Sequence, residues 1–160
     1  MLIYKYDGNF EGLLTCIFEC YSRKETPVDI CLKSTTSKYL FTENRMVVSD
    51  AQKSMRVWKG IQKKLTAKNR QLPYHAFLSG ERGIEMKILR FAQRLLNTDF
   101  NIETDYGDAD VLSLAQSARK VKKEAHRMLQ FVRFQKTKDG MYFCGIEPMY
   151  DVLPLIIDHF

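Results

Sequence analysis

The sequence predicts an α+β domain in which about five helices pack with a short N-terminal strand and a C-terminal β-hairpin. Leu2–Tyr6 is apolar-rich and has the length of a strand. Residues 109–129 place apolar side chains along one stripe at helical spacing, which predicts a long amphipathic helix. Asp139-Gly140 is a turn signal between two apolar runs, which indicates the hairpin.

The length of the chain favours a single domain over residues 1–160. A chain of 160 residues is long enough to bury a substantial core. No window reaches the roughly 18 apolar residues that a membrane span needs. The N-terminus has neither a basic segment nor a long apolar one, so it does not resemble a signal peptide. We therefore expect a cytoplasmic protein.

The first part of the chain predicts a strand that runs into an apolar helix. Asp7-Gly8 breaks the strand, and residues 10–21 follow with helical periodicity. We expect Asp7 to accept hydrogen bonds at the start of this helix and Gly12 to permit close packing. Residues 28–32 and 46–48 are short strand candidates.

The central part predicts two further helices. Ser49 and Gln52 match a capping box, with Ser49 as the N-terminal cap. The helix that follows is expected to bury one apolar stripe: Ala51, Met55, Trp58, Ile61 and Leu65. Trp58 therefore belongs to the core rather than to a base-stacking surface. A second helix is expected from about residue 74 to 97, with possible interruptions at Gly80 and Gly83.

The acidic segment 98–110 is expected to be a polar loop that caps the next helix through Asp108 or Asp110. Its spacing does not fit an EF-hand.

Because neither Gly nor Pro follows residue 129, we expect a strand over 131–135 to begin almost where the long helix over 109–129 ends. Its hairpin partner is 141–146, and an apolar helix is expected over 149–160.

Four cysteines occur, and they are expected to stay reduced in a chain without an export signal. Cys16 and Cys20 share the spacing of the first two ligands of some iron–sulfur motifs, but no third cysteine follows nearby. Small core thiols are the favoured interpretation. There is also no phosphate-binding Gly-rich loop, dinucleotide fingerprint or nucleophile elbow, so no cofactor or metal is predicted.

Positive charge is concentrated in the middle of the chain. Residues 51–95 hold 11 Lys or Arg and 2 Asp or Glu, within a net charge of +6. Such a segment fits a polyanion-binding surface and fits an ordinary solvated helix face equally well. The candidate anion-binding residues are Arg119, Lys122, Lys123, Arg127, Arg133, Lys63, Lys64 and Arg90.

Two side chains at the end of the long helix leave alternatives open. His126 lies between the apolar stripe and the basic flank, so it is either a general base or a cap of the helix end. Arg133 either pairs with Glu147 across the hairpin or is free to bind an anion, depending on the strand register. Glu11 and Glu19 are the candidate partners of His126 in acid–base chemistry.

Two separated blocks resemble a bacterial family described as probable DNA metabolism proteins, a domain of unknown function. The first block is 6–15 with 18–21, and the second comprises 124–128, 131–134, 147–148 and 153–155. The match points to Asp7, Glu11, Glu19, His126, Arg127 and Arg133. It also includes Gly8 and Gly12, whereas Cys16 and Cys20 depart from the alanine-like residues expected there.

The resemblance implies a role in DNA repair or modification beside a partner protein. Genes of the family usually lie next to a putative radical SAM protein, and some relatives carry a uracil-DNA glycosylase-like domain. Chains of the family continue beyond Phe160, so these residues are expected to form the N-terminal part of a longer chain.

Three functions are compatible with these observations. The favoured one is a DNA-binding accessory module whose partner supplies the chemistry. The second is an enzyme acting on DNA or a nucleotide, with His126 as the base, Glu11 or Glu19 as a second acid–base group, and Arg133 holding an anion. The third is a protein-interaction scaffold that docks a partner through its apolar C-terminal segment.

Overall fold

A computed structural model describes residues 1–160 and confirms the α+β fold class. The first strand, β1 (Leu2–Tyr6), is the middle strand of a three-stranded parallel sheet, between β2 (Asp29–Leu32) and β3 (Glu43–Met46). Helix α1 (Phe10–Arg23) forms the crossover from β1 to β2. The sheet is larger than the single N-terminal strand named in the predicted architecture, and β3 begins three residues before the segment expected to form it.

Four further helices complete the main body: α2 (Ala51–Lys64), α3 (Leu72–Leu78), α4 (Ile84–Leu96) and α5 (Ala109–Phe131). Gly80 and Gly83 do interrupt the helix expected over 74–97. Both have positive φ angles, which glycine adopts without the strain that a Cβ would bring, so the chain turns between α3 and α4.

The hydrophobic core has two parts. The larger part joins the sheet, α1, α2, α4 and the N-terminal half of α5. The smaller part lies between α3, the C-terminal half of α5 and α6 (Leu153–Ile156), where Val121, Val152 and Ile156 are buried. Since α5 contributes to both parts, its rotation about its own axis is fixed along its whole length.

The caps predicted for α1 and α2 are shifted, by two residues and by one residue respectively. Asn9, not Asp7, caps α1 by accepting a hydrogen bond from the backbone N–H of Gly12, and Asp50, not Ser49, caps α2 by accepting from Lys53. The predicted caps bond to each other instead, because Ser49 Oγ donates to the Asp7 carboxylate at 2.7 Å.

The buried face of α2 is rotated relative to the prediction. Ser54, Val57 and Ile61 are buried, whereas Met55 is exposed. The small side chain of Ser54 lets α2 approach its neighbours, so the polar residue lies inside and the larger Met55 outside. Trp58 packs against the core with its ring edge-on to Phe10, at 5.1 Å between centroids.

The junction after α5 differs most from the prediction. The helix continues through Phe131, so the expected strand over 131–135 is reduced to β4 (Gln135–Lys136), which pairs with β5 (Tyr142–Phe143). Burial of Met128 and Val132 favours extending the helix by half a turn, and three residues then link it to the hairpin. The helix expected over 149–160 is also shorter, because it is limited to α6 and a following 3-10 turn.

Candidate nucleic-acid interface

A groove of about 730 Å³ runs along the exposed side of α5. Its floor is formed by the small side chains of Ala115 and Ala118. The opposite wall comes from Asn69 and Leu72, around the start of α3, and from Tyr106 in the loop before α5. We call this feature the α5 groove.

Four cations of α5 line this groove: Arg119, Lys120, Lys122 and Lys123. Their orientation follows from the helical repeat, since Val111, Leu114 and Val121 are fully buried on the opposite side of the same helix. Asp108 fixes where the helix begins by accepting hydrogen bonds from the backbone N–H groups of Asp110 and Val111, as the sequence predicted.

Three of these cations have no acidic partner. Arg119, Lys122 and Lys123 are exposed and form no ion pair, and Lys120 lies 3.8 Å from the Glu81 carboxylate. Glu81 is itself shared, because its other oxygen accepts a hydrogen bond from Ser117. Like charges three and four residues apart on a helix repel each other, so the groove favours a bound anion.

Other candidate cations are held by acids. Arg90 forms a two-pronged pair with Asp110, with N–O distances of 2.8 and 2.9 Å. This pair holds the pKa of Asp110 below its usual range. Arg127 donates two hydrogen bonds to Glu124, whose carboxylate also accepts from the backbone N–H of Met149. Both guanidinium groups are therefore already paired with a carboxylate within the fold.

Two more candidate cations bond to backbone carbonyls. Lys64 donates to the carbonyl of Thr98 at 2.8 Å. Arg133 donates to the carbonyls of Gln130 and Val132, at 3.1 and 2.8 Å, so its guanidinium closes the end of α5. No ion pair joins Arg133 to Glu147, and because both hydrogen bonds use the same guanidinium nitrogen, anion binding by Arg133 stays a prediction.

Lys63 lies on a different surface from the α5 groove. Together with Lys59, Gln62 and Arg70 it lines a shallow depression on α2 and the turn that follows. Three cations of the middle segment therefore lie together at this depression, whereas the two arginines of α4 are paired with acids.

The proposed acid–base residues are not joined to one another by a hydrogen bond or an ion pair. His126 is exposed on α5 and contacts the side chain of Gln130 at 3.2 Å. Glu19 bridges Arg23 and Lys53 at 2.8 and 2.7 Å, and the hydrogen bond from Lys53 is the main reason that the pKa of Glu19 is lowered. Glu11 is exposed in the first turn of α1.

Asp7, Gly8 and Gly12 form a tight polar corner at the carboxyl end of β1. Besides the bond from Ser49, Asp7 accepts hydrogen bonds from the backbone and side chain of Asn9. A Cβ at position 12 would collide with the Asp7 carboxylate, which explains the glycine there. A Cβ at position 8 would lie 2.6 Å from Leu32, at a φ of +95°.

Several features of the groove escaped the sequence reasoning. Asn69 ends a short 3-10 helix and Tyr106 belongs to a loop, and only the fold brings them opposite α5. His75 is half-buried in α3, and burial, followed by the charge of Lys122, lowers its pKa. Lys120 was the one omitted cation that the charge pattern could have supplied, since it lies between Arg119 and Lys122.

The thiols and carboxylates do not assemble a metal site. No group of three or more His, Cys, Asp or Glu side chains has a geometry that could hold a metal ion. Cys16 and Cys20 are buried in the larger core, where desolvation raises the pKa of both thiols. None of the helices combines the length and the apolar character that crossing a membrane requires.

Residues 82–160 match a family model. The family is described as a domain of unknown function, DUF4130. The match includes α4, α5, the hairpin and α6, and therefore the four cations of the groove, but not Asn69 or Leu72. A search of curated proteins and a search of solved structures found no match to this chain. The link to DNA metabolism stays a prediction.

Proposed function

We propose that this protein binds nucleic acid through the α5 groove and acts as an accessory module in bacterial DNA repair or modification. The observation that carries the proposal is the row of cations without acidic partners, Arg119, Lys122 and Lys123, along one side of the groove. Polyanion binding would release counterions from the nucleic acid and relieve the repulsion within this row.

The geometry of the row supports a backbone contact rather than recognition of individual bases. Neighbours at positions i, i+3 and i+4 of a helix have Cβ atoms about 5–6 Å apart, so their charged ends form a continuous strip. Long, exposed lysine and arginine side chains reach phosphates without fixing a base sequence. We therefore expect binding that depends strongly on salt and weakly on sequence.

The arrangement of the candidate acid–base residues supports the accessory role. The candidate acid–base residues are not connected to each other, and Glu19 is occupied by two cations. In this proposal a radical SAM protein or a uracil-DNA glycosylase-like domain, as the sequence resemblance implies, supplies the chemistry. The groove would hold the nucleic acid near that partner.

Two charge-matched variants test the groove. In the first, Arg119, Lys122 and Lys123 are all replaced by Gln; in the second, Arg56, Lys59 and Lys63 on α2 are replaced by Gln. Both lose three positive charges from exposed helix positions. Binding to a fluorescent duplex is measured by anisotropy between about 50 and 200 mM salt.

The wild type should lose affinity steeply with salt. Three phosphate contacts give a slope of log K against log [salt] near −2.7, or about a 40-fold loss over this range. The α5 variant should lose most of that slope, whereas the α2 variant should keep it. Equal losses in both variants would mean that net charge alone drives binding, and a flat salt dependence in the wild type would refute the proposal.

A further inference from the structure

The hairpin formed by β4 and β5 presents aromatic side chains to solvent on both of its faces. Tyr142 is 66% exposed and Phe143 is 53% exposed, and the two point to opposite sides because they are neighbours in one strand. A two-stranded hairpin without a covered face is marginally stable in water. Large exposed aromatic side chains in such an element indicate a contact surface.

Cations accompany these aromatic side chains. Lys136 lies directly opposite Tyr142 in the strand register, and its Nζ is 5.8 Å from the centre of the Tyr142 ring. Lys138 is exposed in the turn, where the single acid, Asp139, accepts a hydrogen bond from Thr137. Protein interfaces are depleted in lysine, whereas single-stranded nucleic acid is bound by aromatic platforms flanked by cations.

A polar stripe of α5 leads from the groove to the end of the helix, from which three residues continue to the hairpin. Arg119, Lys123, His126 and Gln130 recur at i, i+4, i+7 and i+11, so they share one side of the helix, and all four are exposed. At 1.5 Å per residue the stripe extends about 16 Å towards the hairpin. A strand of a few nucleotides is long enough to contact both ends.

We propose that Tyr142 is a base-stacking platform and that the nucleic acid bound by this protein is single-stranded, with its phosphates in the α5 groove and unpaired bases on the hairpin. This inference rests on the proposed function and narrows its ligand. Duplex bases are stacked on each other, so only an unpaired base gains from the tyrosine ring.

The test uses the whole chain and two probes, an oligodeoxythymidine of about 12 nucleotides and a duplex of the same length. Tyr142→Ala should weaken single-strand binding at least about 5-fold and change duplex binding less than about 2-fold. The matched control is Phe41→Ala, because Phe41 is 96% exposed in the loop between β2 and β3. This control should bind both probes as the wild type does.

A second variant gives a direct signal. Tyr142→Trp preserves an aromatic platform, so single-strand affinity should be retained, and stacking should quench the new tryptophan. The natural Trp58 is partly buried against the core and supplies a constant background. Quenching by the oligothymidine but not by the duplex supports the inference.

The remaining outcomes contradict the inference that Tyr142 stacks on an unpaired base. If Tyr142→Ala binds both probes normally while the α5 variant binds neither, the stacking inference fails and the proposed function stands. If the wild type binds neither probe, both fail. If Tyr142→Ala leaves binding intact but abolishes self-association in sedimentation experiments, the hairpin is a contact between copies of the chain.

Discussion

Helices α4 and α5 both carry several cations but use them in different ways. Arg90 and Arg94 of α4 pair with three aspartates, Asp105, Asp108 and Asp110, in the loop before α5 and in its first turn. Arg119, Lys122 and Lys123 of α5 have no such partners. Charge density along the sequence therefore does not distinguish cations that stabilise the fold from cations that are free to bind.

The difference arises from the acidic loop between the two helices. Because α4 and α5 are consecutive and packed together, the loop that joins them lies beside the last turns of α4 and the first turn of α5. The carboxylates of this loop and of the first turn of α5 pair with Arg90 and Arg94 and form no ion pair with the cations in the middle of α5. The middle of α5, more than two turns away, keeps Arg119, Lys122 and Lys123 unpaired and is where the groove forms.

The largest contrast is expected inside α5, between Arg127 and Arg119. Replacing Arg127 with Ala should lower the melting temperature by several degrees, because it leaves the Glu124 carboxylate, which is only 3% exposed, without its charged partner. Arg119→Ala should have no such effect, and it removes repulsive pairs worth about 0.2–0.5 kcal/mol each. Thermal unfolding followed by circular dichroism measures both.

A melting temperature that falls equally in both variants would contradict the division into structural and free cations. The double variant Glu124→Gln with Arg127→Ala tests whether the unpaired carboxylate causes the loss of stability. Once the buried charge is removed, part of the lost stability should return.

An acid introduced into the α5 groove should pair with a groove cation, as the aspartates pair with the arginines of α4. Ala115 lies four residues before Arg119, so Ala115→Glu creates an i, i+4 pair in the favourable order. Occupying Arg119 in this way should reduce the salt slope of nucleic-acid binding by about 1. The measurement is the same anisotropy titration against salt.

Ala115→Gln is the control for this variant, since it adds nearly the same volume to the groove without the charge. If Gln weakens binding as much as Glu, the groove floor matters through its shape. If neither variant changes the salt slope, Arg119 does not contact phosphate.

Features that depend on residues close together in the chain were predicted from the sequence, whereas features that depend on distant residues were not. The boundaries of α1 and α5 and the cap at Asp108 follow from local periodicity and short-range hydrogen bonds, and they were predicted nearly correctly. The caps at Asp7 and Ser49 were wrong because the two side chains bond to each other, 42 residues apart in the chain. Local sequence patterns carry no information about such a pair.

The candidate site shows the same limit. Arg119, Lys122 and Lys123 were predicted from helical spacing, and the structure places them together in one groove. Arg90 and Arg127 looked equivalent in sequence, yet the partner of Arg90 comes from the first turn of a different helix and the partner of Arg127 from one turn away on α5 itself. The opposing wall, with Asn69 and Tyr106, depends on how α3 packs on α5, which no local pattern specifies.

The smallest effect concerns His75, whose pKa reports on the unpaired charge of Lys122. Burial and Lys122 both lower this pKa, so unfolded His75 binds a proton as the pH falls through about 6.5 while folded His75 does not. Stability should therefore decrease as the pH falls from that value towards the lowered folded-state pKa. His75→Gln should remove this part of the pH dependence, as measured by chemical denaturation at several pH values.

The pKa of His75 can also distinguish an unpaired cation from one that is paired with an acid. Lys122→Gln should raise the pKa of His75 in an NMR titration, because it removes a nearby positive charge that no acid neutralises. Arg90→Gln should leave the pKa unchanged, since Asp110 already balances that arginine. A bound oligonucleotide should shift the His75 titration in the same direction as Lys122→Gln, because phosphates in the α5 groove would neutralise the charge of Lys122. If neither Lys122→Gln nor the bound oligonucleotide changes the pKa of His75, Lys122 does not act on His75.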